Sequence, residues 1–196
     1  MMNFEKPLLL ASASPRRKEL MQRVGLPFKT VIKQVDESFP TDLRGAAVAT
    51  YIAKKKAAAY EEEVLNGETV ITADTIVVVD DMILGKPANR SEAIGMLQTL
   101  SGRTHQVITA VCIRSKDRNI CFETKTEVQF RQLEEQEILY YVDQYKPFDK
   151  AGGYGIQEWI GHVGIVSIDG SYDNVVGLPV EALWQQLKEL KKEGIL

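Results

Sequence analysis

A chain of 196 residues with 44% hydrophobic and 26% charged side chains can enclose a core around a sheet without disulfide or metal staples, and is too apolar to stay disordered. Its 24 basic and 27 acidic residues leave a net charge of -3, which excludes bulk attraction to a nucleic-acid backbone and requires any anion site to be local. No stretch reaches the roughly 20 apolar residues of a membrane span, and the run that follows Met1-Met2-Asn3-Phe4-Glu5-Lys6 is too short for a secretory signal, so a cytoplasmic protein with no membrane partner is expected.

Pro7 to Ala11 reads as a buried strand that delivers its end to a helix, with Ser14 as N-cap, Pro15 at the first helical position and Gly25 as the stop. Phe28 to Ile32 alternates like a strand and runs into the acidic loop Asp36-Glu37-Ser38-Phe39-Pro40. The Ala-rich stretch Leu43 to Leu65 predicts one long helix ended by Asn66-Gly67. Two β-rich segments, Thr69 to Ala73 and Ile76 to Val79, flank Asp74-Thr75 and lead to the turn formers Asp80-Asp81.

Leu84-Gly85-Lys86-Pro87 reads as a loop, and Asn89 with Glu92 as a capping box for a helix carrying Ile94, Leu97 and Leu100. Gln106 to Ile113 and Ile120 to Phe130 predict a long hairpin. Glu134 to Gln144 reads as an amphipathic helix, Lys150 to Gln157 as a Gly-rich loop, His162 to Asp169 as a strand and Pro179 to Lys192 as the last helix. Strict strand-helix alternation is missing, so the expected fold is α/β: one domain, 1–196, with a mixed sheet and flanking helices. Cys112 and Cys121 fit neither a zinc motif nor a redox Cys-x-x-Cys and are expected to be reduced thiols.

Four groups of residues carry candidate chemistry. Ser12-Ala13-Ser14-Pro15-Arg16-Arg17 joins hydroxyls and a helix start to two guanidinium groups, a combination suited to phosphate oxygens. A capped helix with solvated arginines would look the same. Asp36-Glu37 and Asp74 are acidic positions beside β-rich sequence, and Asp74 amid Thr72, Ile76 and Val77 needs a partner if buried. A divalent cation such as Mg²⁺ would serve, and so would a strand-end turn.

In Lys54-Lys55-Lys56 the residues point about 100° apart, so only Lys56, beside Ala53 and Ala57, is expected to face inward. Lys86 is a point charge held between Gly85 and Pro87. The Asp149 to Gln157 loop allows close backbone approach, and its Gln157 offers a donor and an acceptor to a base edge. A mobile surface turn is the alternative. His105, His162, Trp159 and Trp184 read as structural or surface residues. The chain has no Gly-x-x-x-x-Gly-Lys-Ser/Thr and no Gly-x-Ser-x-Gly, which disfavours P-loop and serine-hydrolase mechanisms.

In this order, Leu10 to Arg17, Val35-Asp36-Glu37, Ala53 to Ala57, Ala73-Asp74-Thr75, Leu84 to Pro87, Ser101 to His105, Asp149 to Gln157 and Tyr172 to Pro179 resemble the Maf family of nucleotide pyrophosphatases. The resemblance spans nearly the whole chain. It implies a long bent mixed sheet forming a cleft, related to the inosine triphosphatase architecture, and a homodimer in many members. It further implies a hydrolase of the α–β phosphoanhydride of nucleoside triphosphates, with Asp74 as general base and Glu37, Lys56 and Lys86 at the phosphate and metal centre.

Arg16, Thr75 and Gln157 match the branch acting on dTTP and UTP, whereas the 7-methyl-GTP branch carries other residues at these positions. Gly153 stands where an alanine is usual, and Glu158-Trp159 where a glycine is commoner. The expected mechanism has Mg²⁺ or Mn²⁺ on Glu37 and Asp74 while Ser12, Ser14, Arg16, Arg17, Lys56 and Lys86 bind the triphosphate. The rival reading, a non-catalytic nucleotide or nucleic-acid binding regulator of septum formation, needs the cations but not carboxylates beside them, which would repel a phosphodiester.

Overall fold

The computed structural model describes residues 7–196; Met1 to Lys6, read above for a signal, lie outside the described residues. The strands form one mixed seven-stranded sheet in the order β2-β1-β3-β5-β6-β7, with β4 paired to β3. They are β1 (Leu8–Leu10), β2 (Phe28–Thr30), β3 (Val70–Val79), β4 (Met82–Leu84), β5 (Thr104–Arg114), β6 (Asn119–Phe130) and β7 (Ile165–Asp169). β1 runs parallel to β2 and β3, while β4 and β7 run antiparallel to their neighbours. The α/β class with a mixed sheet and flanking helices is therefore as expected.

The helices are α1 (Pro15–Arg23), α2 (Ala46–Ala58), α3 (Glu61–Leu65), α4 (Arg90–Leu100), α5 (Glu135–Tyr145), α6 (Trp159–Gly164), α7 (Tyr172–Val176) and α8 (Val180–Lys192). None of the helices among the described residues is long and apolar enough to cross a membrane. Internal contacts gather into two compact units: the chain up to Asp74 with Thr109–Thr124 and Gly177–Leu196, and Thr75–Ile108 with Lys125–Val176. Each has its own apolar cluster. Leu9, Ala11, Tyr60, Val64 and Val70 pack together in the first, and Val77, Leu97, Phe130, Tyr141 and Ile160 belong to that of the second.

Several elements differ from expectation for identifiable reasons. The Ala-rich segment is two helices, because Tyr60 leaves helical geometry at φ -110°, ψ 30°; its buried hydroxyl accepts the Lys33 N–H at 2.8 Å. The two segments around Asp74 are one continuous strand, β3. Asp80 and Asp81 both take positive φ, 44° and 64°, the backbone of a tight hairpin turn, which folds Met82–Leu84 back as β4. Trp159–Gly164 is helical, so the strand expected from His162 begins only at Ile165.

The cysteines are also corrected: Cys112 and Cys121 form a disulfide. They face each other across the β5–β6 hairpin with Cα atoms 4.2 Å apart, the spacing of directly opposed residues at a non-hydrogen-bonded position. Nine residues of sequence separation therefore become side-by-side contact.

Candidate active site

The first unit brings the acidic and basic candidates to one point. Asp74 lies in the middle of β3 and is 7% exposed, so its carboxylate requires a partner. Lys56 supplies one: its Nζ lies 2.7 Å from Asp74 Oδ1 and 2.8 Å from Glu37 Oε1. The two carboxylates, which come from a strand and from the loop after β2, thus share one ammonium.

The surrounding sequence explains how they get there. The buried Thr72 hydroxyl donates to the Ala53 carbonyl at 2.9 Å, tying β3 to α2 one turn before Lys56. Two residues further along an extended strand, Asp74 leaves on the same face as Thr72. The loop that carries Glu37 is held from both ends. Tyr60 receives Lys33 as described, and Lys55 Nζ lies 2.8 Å from Asp36 Oδ2. Lysine and hydroxyl hydrogen bonds, from Lys55 and Ser38, hold the Asp36 pKa well below the usual carboxylate range. Of the lysine run, Lys54 is exposed, Lys55 fastens the loop and Lys56 faces Asp74, as the spacing predicts.

Arg17 completes the cluster from α1. Its Nε donates to the Gly177 carbonyl at 2.7 Å, and one terminal nitrogen donates to the Ala73 carbonyl at 2.9 Å and to Ser12 Oγ at 3.4 Å. It fastens the residue before Asp74 to the end of β1. Burial pushes its pKa down; Asp74 and, more weakly, Glu37 pull it back up, while Arg16 adds to the depression. Ser14 is the N-cap of α1, but its side chain makes no capping bond; instead its backbone N–H donates to Ser12 Oγ at 3.2 Å.

The second unit holds the remaining candidates. Thr75, half-buried, follows Asp74 on β3 and leaves the strand on the opposite face. Lys86 is exposed in the loop after β4, and the carbonyl of the preceding Gly85 accepts the Gly152 N–H at 3.0 Å. That bond joins the Lys86 loop to the glycine turn. At Gly152, with φ +69°, a Cβ would lie 2.9 Å from the Val77 side chain. Only glycine supplies both the conformation and the space there.

Gln157 ends this turn half-buried, with Oε1 lacking a hydrogen-bond partner among the described residues. Sequence reasoning noted Glu158 only as a departure and passed over its partners: Lys150 Nζ lies 3.1 Å from Glu158 Oε1, and the Tyr141 hydroxyl donates to Glu158 Oε2. It also passed over Thr72, whose hydroxyl in an otherwise apolar run was the available signal. The histidines fit their expected roles. His162 is exposed, and buried His105 places Nε2 2.7 Å from the Tyr154 hydroxyl, with burial lowering its pKa to about 4.

An α/β sheet protein that groups an ammonium and a guanidinium with two carboxylates has the chemistry to receive a polyanion together with a countercation. The chain belongs to the Maf family, matching it as a Maf-like protein over residues 7–190. It is 51% identical over 182 residues to the dTTP/UTP pyrophosphatase of Parabacteroides distasonis, covering 92% of this chain and 94% of that one. It is 52% identical over 184 residues to the enzyme of that name from Bacteroides fragilis strain YCH46, with 93% and 95% covered. Among solved structures, the Ham1 protein of Staphylococcus aureus aligns with 64% of this chain and 72% of its own at 14% identity and a TM-score of 0.45.

Proposed function

We propose that the chain hydrolyses dTTP and UTP to the monophosphate and pyrophosphate. Supporting this reading are relatives of that name at about half identity over nearly the full length and, above all, the single ammonium shared by Glu37 and Asp74. A structural ion pair needs one carboxylate. Two on one lysine make a centre that can give up its cation to a phosphate and keep a base.

In this account the triphosphate draws Lys56 Nζ toward its own oxygens, assisted by Arg16, with Lys86 as a further cation. Asp74 is thereby released to accept a proton from the water that attacks the α–β linkage. Arg17, occupied by two carbonyls, keeps the Asp74 segment in place and lends positive potential. Thr75 and Gln157 contact the nucleoside.

The donor set also fits Mg²⁺ or Mn²⁺. Two hard carboxylate oxygens already converge on one cation, and such ions combine few carboxylates with phosphate oxygens and waters. Glu37 and Asp74 would hold the ion. When bound, it would neutralise phosphate charge and ease deprotonation of water.

The test is ³¹P NMR of the full-length protein with dTTP, UTP, ATP and GTP, with Mg²⁺ or Mn²⁺ added. Pyrophosphate with dTMP or UMP is expected. Orthophosphate with the diphosphate would refute cleavage at the α–β bond, and faster turnover of ATP or GTP would refute the pyrimidine assignment.

A further inference from the structure

We propose that Glu158 is a positioning residue that sets the amide orientation of Gln157, and with it the choice of a uracil or thymine base over cytosine. The inference rests on the pyrophosphatase reading above and adds to it the origin of base selection.

The space above Gly155 is crowded. A Cβ built there would lie 2.9 Å from Glu158 Cδ, 3.0 Å from Gln157 Nε2 and 3.1 Å from Glu158 Oε2. The Glu158 carboxylate and the Gln157 amide nitrogen therefore both border the space over one bare Cα. A Cβ there would force at least one of them to shift.

Glu158 is held from two sides. Lys150, whose side chain is 8% exposed, lies 3.1 Å from Oε1, and the Tyr141 hydroxyl donates to Oε2. The same Tyr141 oxygen accepts the Gly155 N–H at 2.9 Å. One buried phenol thus bonds both the carboxylate and the backbone of the turn.

A carboxamide has two orientations of nearly equal shape, which differ in where the donor and acceptor fall. An ionised carboxylate can only accept, so it favours the orientation that turns NH₂ toward it and Oε1 away. That leaves Oε1 as a buried acceptor with no partner among the described residues, a state that costs free energy until a donor arrives. The terminal torsion of glutamine is soft, and the half-buried side chain needs little adjustment to meet one.

Uracil and thymine carry an N3–H donor, whereas cytosine presents a lone pair at N3. An acceptor whose orientation is fixed by charge pairs with the first and opposes the second. An amide free to turn over would serve both. Discrimination of this kind is large when the site's polar group would otherwise stay unpaired.

The experiment compares kcat/KM for UTP and CTP in the full-length wild type and in Glu158→Gln, Glu158→Asp and Tyr141→Phe. Unfolding midpoints and inhibition by inorganic tripolyphosphate report on fold and phosphate subsite. Wild type should prefer UTP. Glu158→Gln should lower the UTP:CTP ratio about tenfold, the size of one well-placed hydrogen bond, with the loss on UTP carried by KM and tripolyphosphate inhibition intact. Glu158→Asp should recover part of the ratio.

An unchanged ratio in Glu158→Gln, or in Tyr141→Phe should the first variant not fold, overturns the inference. So does an equal loss on both substrates, the mark of a merely structural role. Equal use of UTP and CTP by wild type removes the inference and leaves the pyrophosphatase reading standing. Cleavage of neither triphosphate removes both.

Discussion

The buried Thr72 hydroxyl donates to the Ala53 carbonyl at 2.9 Å, and this bond fixes the distance between the strand that carries Asp74 and the helix that carries Lys56. Thr72→Val keeps the shape, removes the donor and leaves a buried carbonyl with one partner fewer. It should cost about 1 to 2 kcal/mol of stability, read by urea denaturation. Turnover should also fall, because α2 is no longer pinned one turn before Lys56.

Lys56→Met should be far more damaging to turnover than to fold. Asp74 and Glu37 lose the ammonium they share, although Arg17 still offsets part of the Asp74 charge. Stability should drop by up to about 3 kcal/mol and kcat by roughly 100-fold or more. Lys56→Arg should not restore rate, since a planar fork cannot take the place of a compact ammonium between two carboxylates. Steady-state kinetics beside thermal unfolding separate the two effects.

His105 makes stability depend on pH. Burial lowers its folded-state pKa to about 4, below the roughly 6.5 of an unfolded chain, so the unfolded state binds the proton first. The stabilisation is full above pH 6.5 and is lost as pH falls toward 4, amounting to about 3 kcal/mol. His105→Gln, which can still meet the Tyr154 hydroxyl, should flatten the unfolding midpoint across that window. An unchanged pH slope would contradict the assignment.

The Cys112–Cys121 bridge closes a short hairpin loop, so a chain-entropy estimate limits its contribution to about 2 to 3 kcal/mol. Adding dithiothreitol should lower the melting temperature by several degrees while leaving triphosphate cleavage intact, since neither cysteine is among the residues bonded to Lys56 or Asp74. Cys112→Ser with Cys121→Ser should give the same midpoint with or without reductant.

The two neighbouring glycines of the turn should respond differently to alanine. At Gly152 a Cβ meets Val77 at 2.9 Å on a backbone with φ +69°, so strain and overlap add to about 3 kcal/mol. At Gly153, with φ +71°, the nearest atom lies at 3.5 Å, and only the conformational cost of about 1 kcal/mol remains. Chemical denaturation of both variants checks the order.

Much of the site was legible in the sequence. Asp74 could not be buried in a β-branched run without a partner, and helical spacing singled out Lys56 from its neighbours; both inferences use local rules. Other features depend on contacts far apart in the chain. Arg17 reads as a phosphate-binding cation, or a solvated one, until Ala73 and Gly177 are seen to present carbonyls to it. The cysteines read as separate thiols until hairpin register makes them opposite. The break at Tyr60 follows from tertiary burial of one ring, which overrides the helix propensity of its surroundings. The β4 strand is three residues long and carries too little pattern to be distinguished from the loop after it.

The central claim is that Asp74, released by Lys56, serves as the base. It is tested most directly by single-turnover hydrolysis of dTTP in wild type and Asp74→Asn, with nucleotide binding measured in parallel. The account predicts a loss of roughly 1,000-fold or more in rate with dTTP still bound and the fold retained. Turnover within a few-fold of wild type in a folded Asp74→Asn protein would contradict it.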